Sequence, residues 1–447
     1  MKPYRYLFVA SVLCVAFFLV IIAGCAKKSV TPPEDNQEQE KILLSDFTSA
    51  EVCATCHPNQ YNQWRGSMHA YAFVDPINTL WMEGLLESEG AEALGQFCVQ
   101  CHGTIGMLTG TTPMPLDKDQ VPDIVKEGIT CDVCHFMEKP SPTASPEAVF
   151  HLDTKSGNRY GSLPDPQDNT FHGSEYRLFY TQSSACLPCH DLINKNGLPA
   201  EITFTEWLKS PFSAMGIECQ DCHMPTYTGQ AAVDGPVREN LHRHDFIGVD
   251  VALLENFSDR EEQMQQVGHL LRNAVTFSVT VPDTAPAGGI LPIAWKVEND
   301  KTGHDIPSSV TFVRQMWIQV TVTSGADTLY RSGYFDANGD LMDEHSEINP
   351  NGDPDLVLFQ SKLFYQGQPA NVFTADSIHA GSIPAFQART GTYSIALNTS
   401  PGTPVEVNVR LMFRAMPPYL IRNGLAHLIP RIPVFEMAGF QKTVITQ

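Results

Sequence analysis

The chain has 447 residues, 43% of them hydrophobic and 18% charged, with a formal net charge of −21 and a pI near 5.0. That length exceeds one ordinary domain, and the composition is that of a globular protein, not of a disordered or fibrous one. The excess of negative charge argues against nucleic acid as a partner and favours a basic protein or an electropositive docking patch.

Lys2 and Arg5 precede an apolar run from Leu7 to Ile22 that ends Ile22-Ala23-Gly24-Cys25. Residues 1–25 therefore read as an export signal, and the small residues before Cys25 resemble a bacterial lipobox. Cleavage there, with lipidation of the Cys25 thiol, would tether the mature chain to a membrane. An uncleaved anchor is the alternative, although 16 apolar residues fall just short of the roughly 17–25 that span a bilayer. Both readings place the chain outside the cytoplasm. The expected location is the bacterial cell envelope, lipid-anchored at the outer membrane on its periplasmic or outer face. Residues 26–46, with Pro32-Pro33 and a Glu/Gln cluster, cannot bury a core and read as a flexible tether. Folded structure is expected from about Phe47.

One pentapeptide then recurs five times. Its copies are Cys53-Ala-Thr-Cys56-His57, Cys98-Val-Gln-Cys101-His102, Cys131-Asp-Val-Cys134-His135, Cys186-Leu-Pro-Cys189-His190 and Cys219-Gln-Asp-Cys222-His223. C-x-x-C-H is the attachment signature of a c-type haem. Two thiolates bond the porphyrin, and the adjacent imidazole lies where it can bind the iron. Zinc sites also use C-x-x-C, but a closed site needs four ligands from paired elements, and five units that each carry a His do not sort into pairs. Disulfides give no reason for a His after the second Cys. With 15 His in 447 residues, five out of five is no accident. Of 12 Cys, ten sit in the motifs, and Cys14 and Cys25 belong to the N-terminus, which leaves none for a structural disulfide.

Residues 47–250 are thus expected to form a mainly helical and irregular pentahaem domain in which haem faces supply most of the core. The equal spacing of motifs two and three, and of four and five, 33 residues each, points to similar packing within those two pairs. Residues 251–274 should hold a connecting helix. Ser258-Asp-Arg-Glu261 fits a capping box, and Met264, Val267, Leu270 and Leu271 recur at helical spacing. From residue 275 the period becomes two: Val275 to Val281, Leu291 to Val297, Met316 to Val322 and Val405 to Phe413 alternate with polar residues. Residues 275–447 read as an antiparallel β-sandwich, so the chain as a whole is multidomain. Asp336-Ala-Asn338-Gly-Asp340 has the alternating oxygens of a calcium loop, a weak signal beside the Asn-Gly hairpin turn that the same residues spell.

The sixth position of each iron decides between electron transfer and chemistry. The motifs leave ten further His for it. Several stretches resemble the multihaem c-type cytochromes related to the tetrahaem cytochrome of ammonia oxidisers and to hydroxylamine oxidoreductase. They are Gln63-Trp64-Arg-Gly-Ser67-Met-His69, Gly128-Ile-Thr-Cys131, His172 ahead of Cys186, Glu206-Trp207-Leu-Lys-Ser210-Pro211, His242-Arg-His244-Asp-Phe246, Thr302-Gly303-His304-Asp-Ile-Pro307 and Arg314-Gln-Met-Trp317. The resemblance implies His69, His172 and His244 as distal ligands, with His304 as a fourth candidate. The fifth stays open between His151, His242, Met107, Met224 and a vacant iron. Two departures narrow the function. Pentahaem nitrite reductase replaces one motif His by Lys, whereas all five motifs here end in His. Hydroxylamine oxidoreductase cross-links a tyrosine, and nothing marks Tyr160, Tyr176 or Tyr180 for that role.

The expected function is electron transfer through five covalent haems, between redox-partner proteins that the sequence does not name. The alternative is a reductase or oxidase of a small inorganic nitrogen or sulfur compound at one haem with an open distal site.

Overall fold

The four alternating runs beyond residue 275 become strands in the computed structural model, which describes residues 41–141, 148–167, 169–257 and 259–447. The export signal, Cys25, most of the 26–46 segment and Ser258 of the capping box lie outside the described residues.

The larger sheet has the order Thr284–Ala285, Phe435–Thr446, Pro404–Arg414, Gln315–Ser324, Asp327–Ser332, with Val357–Phe359 on the far end of Gln315–Ser324. Its centre is antiparallel, from Gln315↔Arg414 to Thr323↔Glu406, and only the Thr284–Ala285 edge is parallel. A second, three-stranded antiparallel sheet has the order Ala388–Ala396, Ile290–Glu298, Thr276–Thr280. Alternation places Leu291, Ile293, Trp295 and Val297 on one face of the second sheet and Val405, Val407, Val409 and Leu411 on one face of the first. All eight belong to a single hydrophobic cluster. Fully burying one such side chain stabilises by about 1.5–3 kcal/mol, so this cluster is the main conventional core of the chain.

The region of the five motifs is built differently. Apart from Pro76–Glu89, its helices are of seven residues or fewer. Each of the last four motifs ends a helix of about one turn: Val99–His102, Cys131–His135, Leu187–His190 and Cys219–His223. Its apolar clusters are small, the largest running through Phe47, Phe73, Ile105, Val125 and Phe136. Isolated helices this short are not stable in water, so something other than leucine packing must hold them.

Arg260–Arg272 is the helix that leads into the strands, with Val267 and Leu271 buried. Its buried Gln263 accepts a hydrogen bond from Ala252 N at 2.9 Å and donates to Gly66 O at 2.6 Å, tying the helix to the chain after motif one. Further ties cross between the motif region and the strands. Asn194 Nδ2 donates to the carbonyls of Val372 and Ala375 at 2.9 and 2.8 Å, and Glu206 accepts from Asp305 N and from Ser308 Oγ. Residues Ile42–Gln447 form one compact unit.

The Asp336–Asp340 turn is a tight hairpin closed by the Phe335↔Leu341 bridge, with Gly339 at φ +81°. Protein donors occupy its carboxylates. Asp336 accepts from Asn338 N, Asp340 N and Ser346 Oγ, and Asp340 accepts from Tyr419 N and Arg422. Among the described residues no group of His, Cys, Asp and Glu is arranged to hold a metal ion directly. The Asn-Gly turn that the sequence spells is present, and its carboxylate oxygens accept from donors of the protein.

Candidate functional site

A cavity of about 1990 Å³ runs through the motif region, and all ten motif cysteines and all five motif histidines line it. Ordinary small-molecule pockets enclose about 300–1,000 Å³. Its wall also carries His69, His172, His244 and His304.

These histidines stand in facing pairs. His57 faces His172 with ring centroids 6.3 Å apart, His135 faces His244 at 6.3 Å, His223 faces His304 at 6.2 Å and His190 faces His69 at 6.4 Å. The planes of the first three pairs are within 25° of one another, and the fourth is tilted by 45°. An imidazole nitrogen binds a metal at about 2.0–2.1 Å, with the ring centroid about 1.1 Å behind it, so two rings on opposite sides of one metal stand roughly 6.3 Å apart. All four pairs have that spacing.

The other ring nitrogen is committed in nearly every case. Nδ1 lies on a backbone carbonyl for His57 (Ala231, 2.7 Å), His102 (Ala72, 3.0 Å), His135 (Tyr160, 2.6 Å) and His223 (Ile247, 2.5 Å). On the opposite side the same holds for His172 (Gly173, 2.9 Å), His244 (His242, 3.0 Å) and His304 (Asp305, 2.8 Å). A carbonyl can only accept, so Nδ1 carries the proton and the Nε2 lone pair is left for a metal. Burial favours the neutral form where it acts most strongly, taking His69 down to about 3 and His244 and His304 down to about 4, with the facing imidazole adding to the effect. Imidazole pairs at this separation fit an iron porphyrin between them.

The thiols show how the motifs adjoin. Cys53 and Cys131 are hydrogen-bond neighbours, as are Cys101 and Cys189, and Cys186 and Cys219. Cys134 neighbours Cys189 and Cys186. The spatial order is therefore one, three, four, five, with motif two beside motif four. Equal spacing does not give alike neighbours: motifs four and five adjoin, whereas motif two lies beside Cys189 and motif three beside Cys53, Cys186 and Cys189. Loops that cross between motifs set the adjacency, not the length of chain between them.

His102 differs from the other four. Among the described residues no imidazole pairs with it. His242 and Met224 line the cavity, with His242 Nδ1 held by Met224 O at 2.7 Å. Met107 packs among Phe97, Leu94 and Met82, and His151 lies in the His151–Leu152 strand. Neither Met107 nor His151 lines the cavity. The cavity wall also carries Asp75, Asn78, Trp81 and Arg314, and Asp250 lies close enough to His102 to act on its charge. Arg314 binds both oxygens of Asp250 at 2.6 and 2.7 Å, and its buried Nε has no partner. Asp75 is pushed up to about 7, by burial first and then by Asp250.

The sequence did not show how some residues around the histidines would be used. Phe246 sits 4.4 Å from His69 and 5.7 Å from His244, wedged between two distal rings. Tyr180 stacks on His135 at 5.8 Å and donates to Cys134 O at 2.6 Å. Asp132, inside motif three, is buried and binds both Arg159 and Thr48 N. The carbonyls that orient the imidazoles could belong to any residue type.

Ten motif cysteines on one cavity wall, with paired imidazoles facing each other across it, make the arrangement that covalently attached haem would need. In agreement, residues 52–136 match the family model for cytochrome c554 and c-prime. The fold is similar to that of a penta-heme cytochrome c552 from Thermochromatium tepidum, with a TM-score of 0.61 and 19% identity over 89% of this chain and 99% of that one. No curated protein matches the chain.

Proposed function

We propose that the chain holds five haems c, one per motif, and passes electrons among them in the order one, three, four, five, with the second as a branch beside the fourth. Bound haem supplies an iron that cycles between ferric and ferrous states. The ten cysteines would fix the haems in place, and each of the four histidine pairs would offer two imidazoles to an iron. The observation that carries this reading is the common 6.2–6.4 Å separation of the four histidine pairs. EPR of the oxidised protein tests it. Four low-spin irons per chain are expected, and a majority of high-spin irons would refute it.

One observation favours a second reading at the motif-two haem. Among the described residues His102 has no facing imidazole, Asp250 of the Arg314–Asp250 pair acts on its charge, and Asp75 lines the same cavity and acts on Asp250. This haem is the place for reduction of a small inorganic nitrogen or sulfur compound, with Asp75 as a proton source. A single high-spin signal that shifts on adding cyanide or nitrite supports that reading, and five ligand-indifferent irons dismiss it.

Within the multihaem cytochromes the chain is assigned to the group of the ammonia-oxidiser tetrahaem cytochrome and hydroxylamine oxidoreductase, on the stretches quoted above. The two sheets, sharing one apolar cluster, are read as a sandwich that covers one end of the haem array through His304. The N-terminal run and Cys25 support export and lipid anchoring in the cell envelope, with a redox protein as donor or acceptor. Radiolabelled palmitate that enters the wild type but not Cys25→Ser tests the anchor.

A further inference from the structure

We propose that the surface around motif one is the docking site for a redox protein whose contact face is apolar at its centre and ringed by lysines; this rests on the electron-transfer reading above. Phe171 is 82% exposed, Val237 69%, Val52 59% and Val233 52%. Val52, Val233 and Phe171 are not scattered. Val52 directly precedes Cys53, and Val233 N donates to Cys56 O at 2.8 Å, which places both beside the motif-one cysteines. Phe171 adjoins His172, whose ring faces His57 from the other side. Val52, Phe171 and Val233 all line the cavity, so they bracket its mouth from both sides of the His57–His172 pair.

Soluble proteins seldom expose clustered apolar side chains without a use for them, and an apolar centre with a charged rim is how protein interfaces are built. The rim here selects the partner. Glu51 and Asp234 adjoin Val52 and Val233, both are exposed, and among the described residues neither is paired with a cation. The nearby Arg238 is tied to Asp165. The uncompensated charge is negative, which complements a lysine ring and repels a bilayer of anionic lipid. Docking places the partner's redox centre against the site between His57 and His172, the first in the spatial order. The step moves one electron and no proton: the protein loses one reducing equivalent, and the acceptor's ferric iron becomes ferrous.

The test uses the full haem-loaded protein, reduced with dithionite, and an oxidised basic monohaem cytochrome c as acceptor, mixed in a stopped-flow instrument. Failure of the haems to reduce with dithionite would overturn the electron-transfer reading itself, separately from the docking site. With reduction intact, the rate should fall steeply with added salt. Glu51→Gln with Asp234→Asn should lower it about tenfold at low ionic strength and flatten the salt dependence. Phe171→Ser should lower it several-fold at every salt concentration, and the exposed Met215→Ser, beside motif five, should leave it unchanged. Unchanged rates in the first two variants, or a loss in Met215→Ser alone, would overturn the proposal. So would binding of the wild type, but not of Phe171→Ser, to phosphatidylcholine–phosphatidylglycerol vesicles, because that assigns the apolar patch to a membrane.

Discussion

The imidazole of His223, at the end of motif five, faces that of His304 across 6.2 Å with the planes 24° apart. His304 lies in the turn that leads from the strand Ile290–Glu298 to the strand Gln315–Ser324. Its Nδ1 is held by Asp305 O, and Asn299 Nδ2 and Thr302 Oγ1 donate to its own carbonyl. The strand-rich region thus reaches the cavity through this imidazole as well as through packing.

Replacing that ligand should change one iron and spare the rest. His304→Met is expected to raise the potential of a single haem by on the order of 0.1 V or more, within the roughly 0.8 V that axial ligands span. His304→Gly should leave one iron high-spin. Redox titration followed by EPR measures both, and a uniform shift of all the haems would contradict the pairing.

Gly128 is a backbone test of the His69–His190 pair. Its φ is +72°, and a Cβ there would stand 2.4 Å from the carbonyl oxygen of His69, which also accepts from Ile129 N at 3.0 Å. Gly128→Ala should cost about 1–3 kcal/mol in backbone strain and push the His69 segment away from His190. The expected readout is a lower thermal midpoint together with one low-spin signal converted to high-spin. Gly84, in the helix Pro76–Glu89, meets nothing within 4 Å, so Gly84→Ala should be neutral or stabilise by about 0.5–1 kcal/mol.

Asp75 carries a pH dependence. Its carboxyl rises from 3.8 to about 7, chiefly through burial. Between those values the unfolded chain has released the proton and the folded chain still holds it. The contribution to stability is therefore full below pH 4 and is lost as pH rises through 7, by at most about 1.4 kcal/mol per pH unit. Asp75→Asn keeps the N-cap of Pro76–Glu89, because its side-chain oxygen can still accept from Ile77 N. Denaturant titrations of the two proteins should converge near pH 4 and separate by pH 8, with the variant the more stable. A constant difference across that range would assign Asp75 no titration there.

The parts legible in the sequence are those where chemistry or period forces residue type. Thioether attachment needs two Cys at fixed spacing and an adjacent His, so all five motifs stood out. Strands such as Gln315–Ser324 and Pro404–Arg414 were visible because a half-buried sheet alternates with period two, and the Asn338-Gly339 turn because few residues adopt positive φ. Which histidine faces which was not legible. His69 lies twelve residues after His57, yet it faces His190, whereas His57 faces His172. Those partners are chosen by how loops cross between motifs, and sequence distance does not encode that. The Nδ1 acceptors are carbonyls, which every residue has. Residue type alone does not show that donors of the protein hold the carboxylates of Asp336 and Asp340.

The intact mass of the protein, taken under denaturing conditions that strip every non-covalent cofactor, bears most directly on the whole account. Five haem masses above the polypeptide are expected, falling to four in any variant with one motif's cysteine pair replaced by serine. A mass equal to the bare or merely lipidated chain would contradict it.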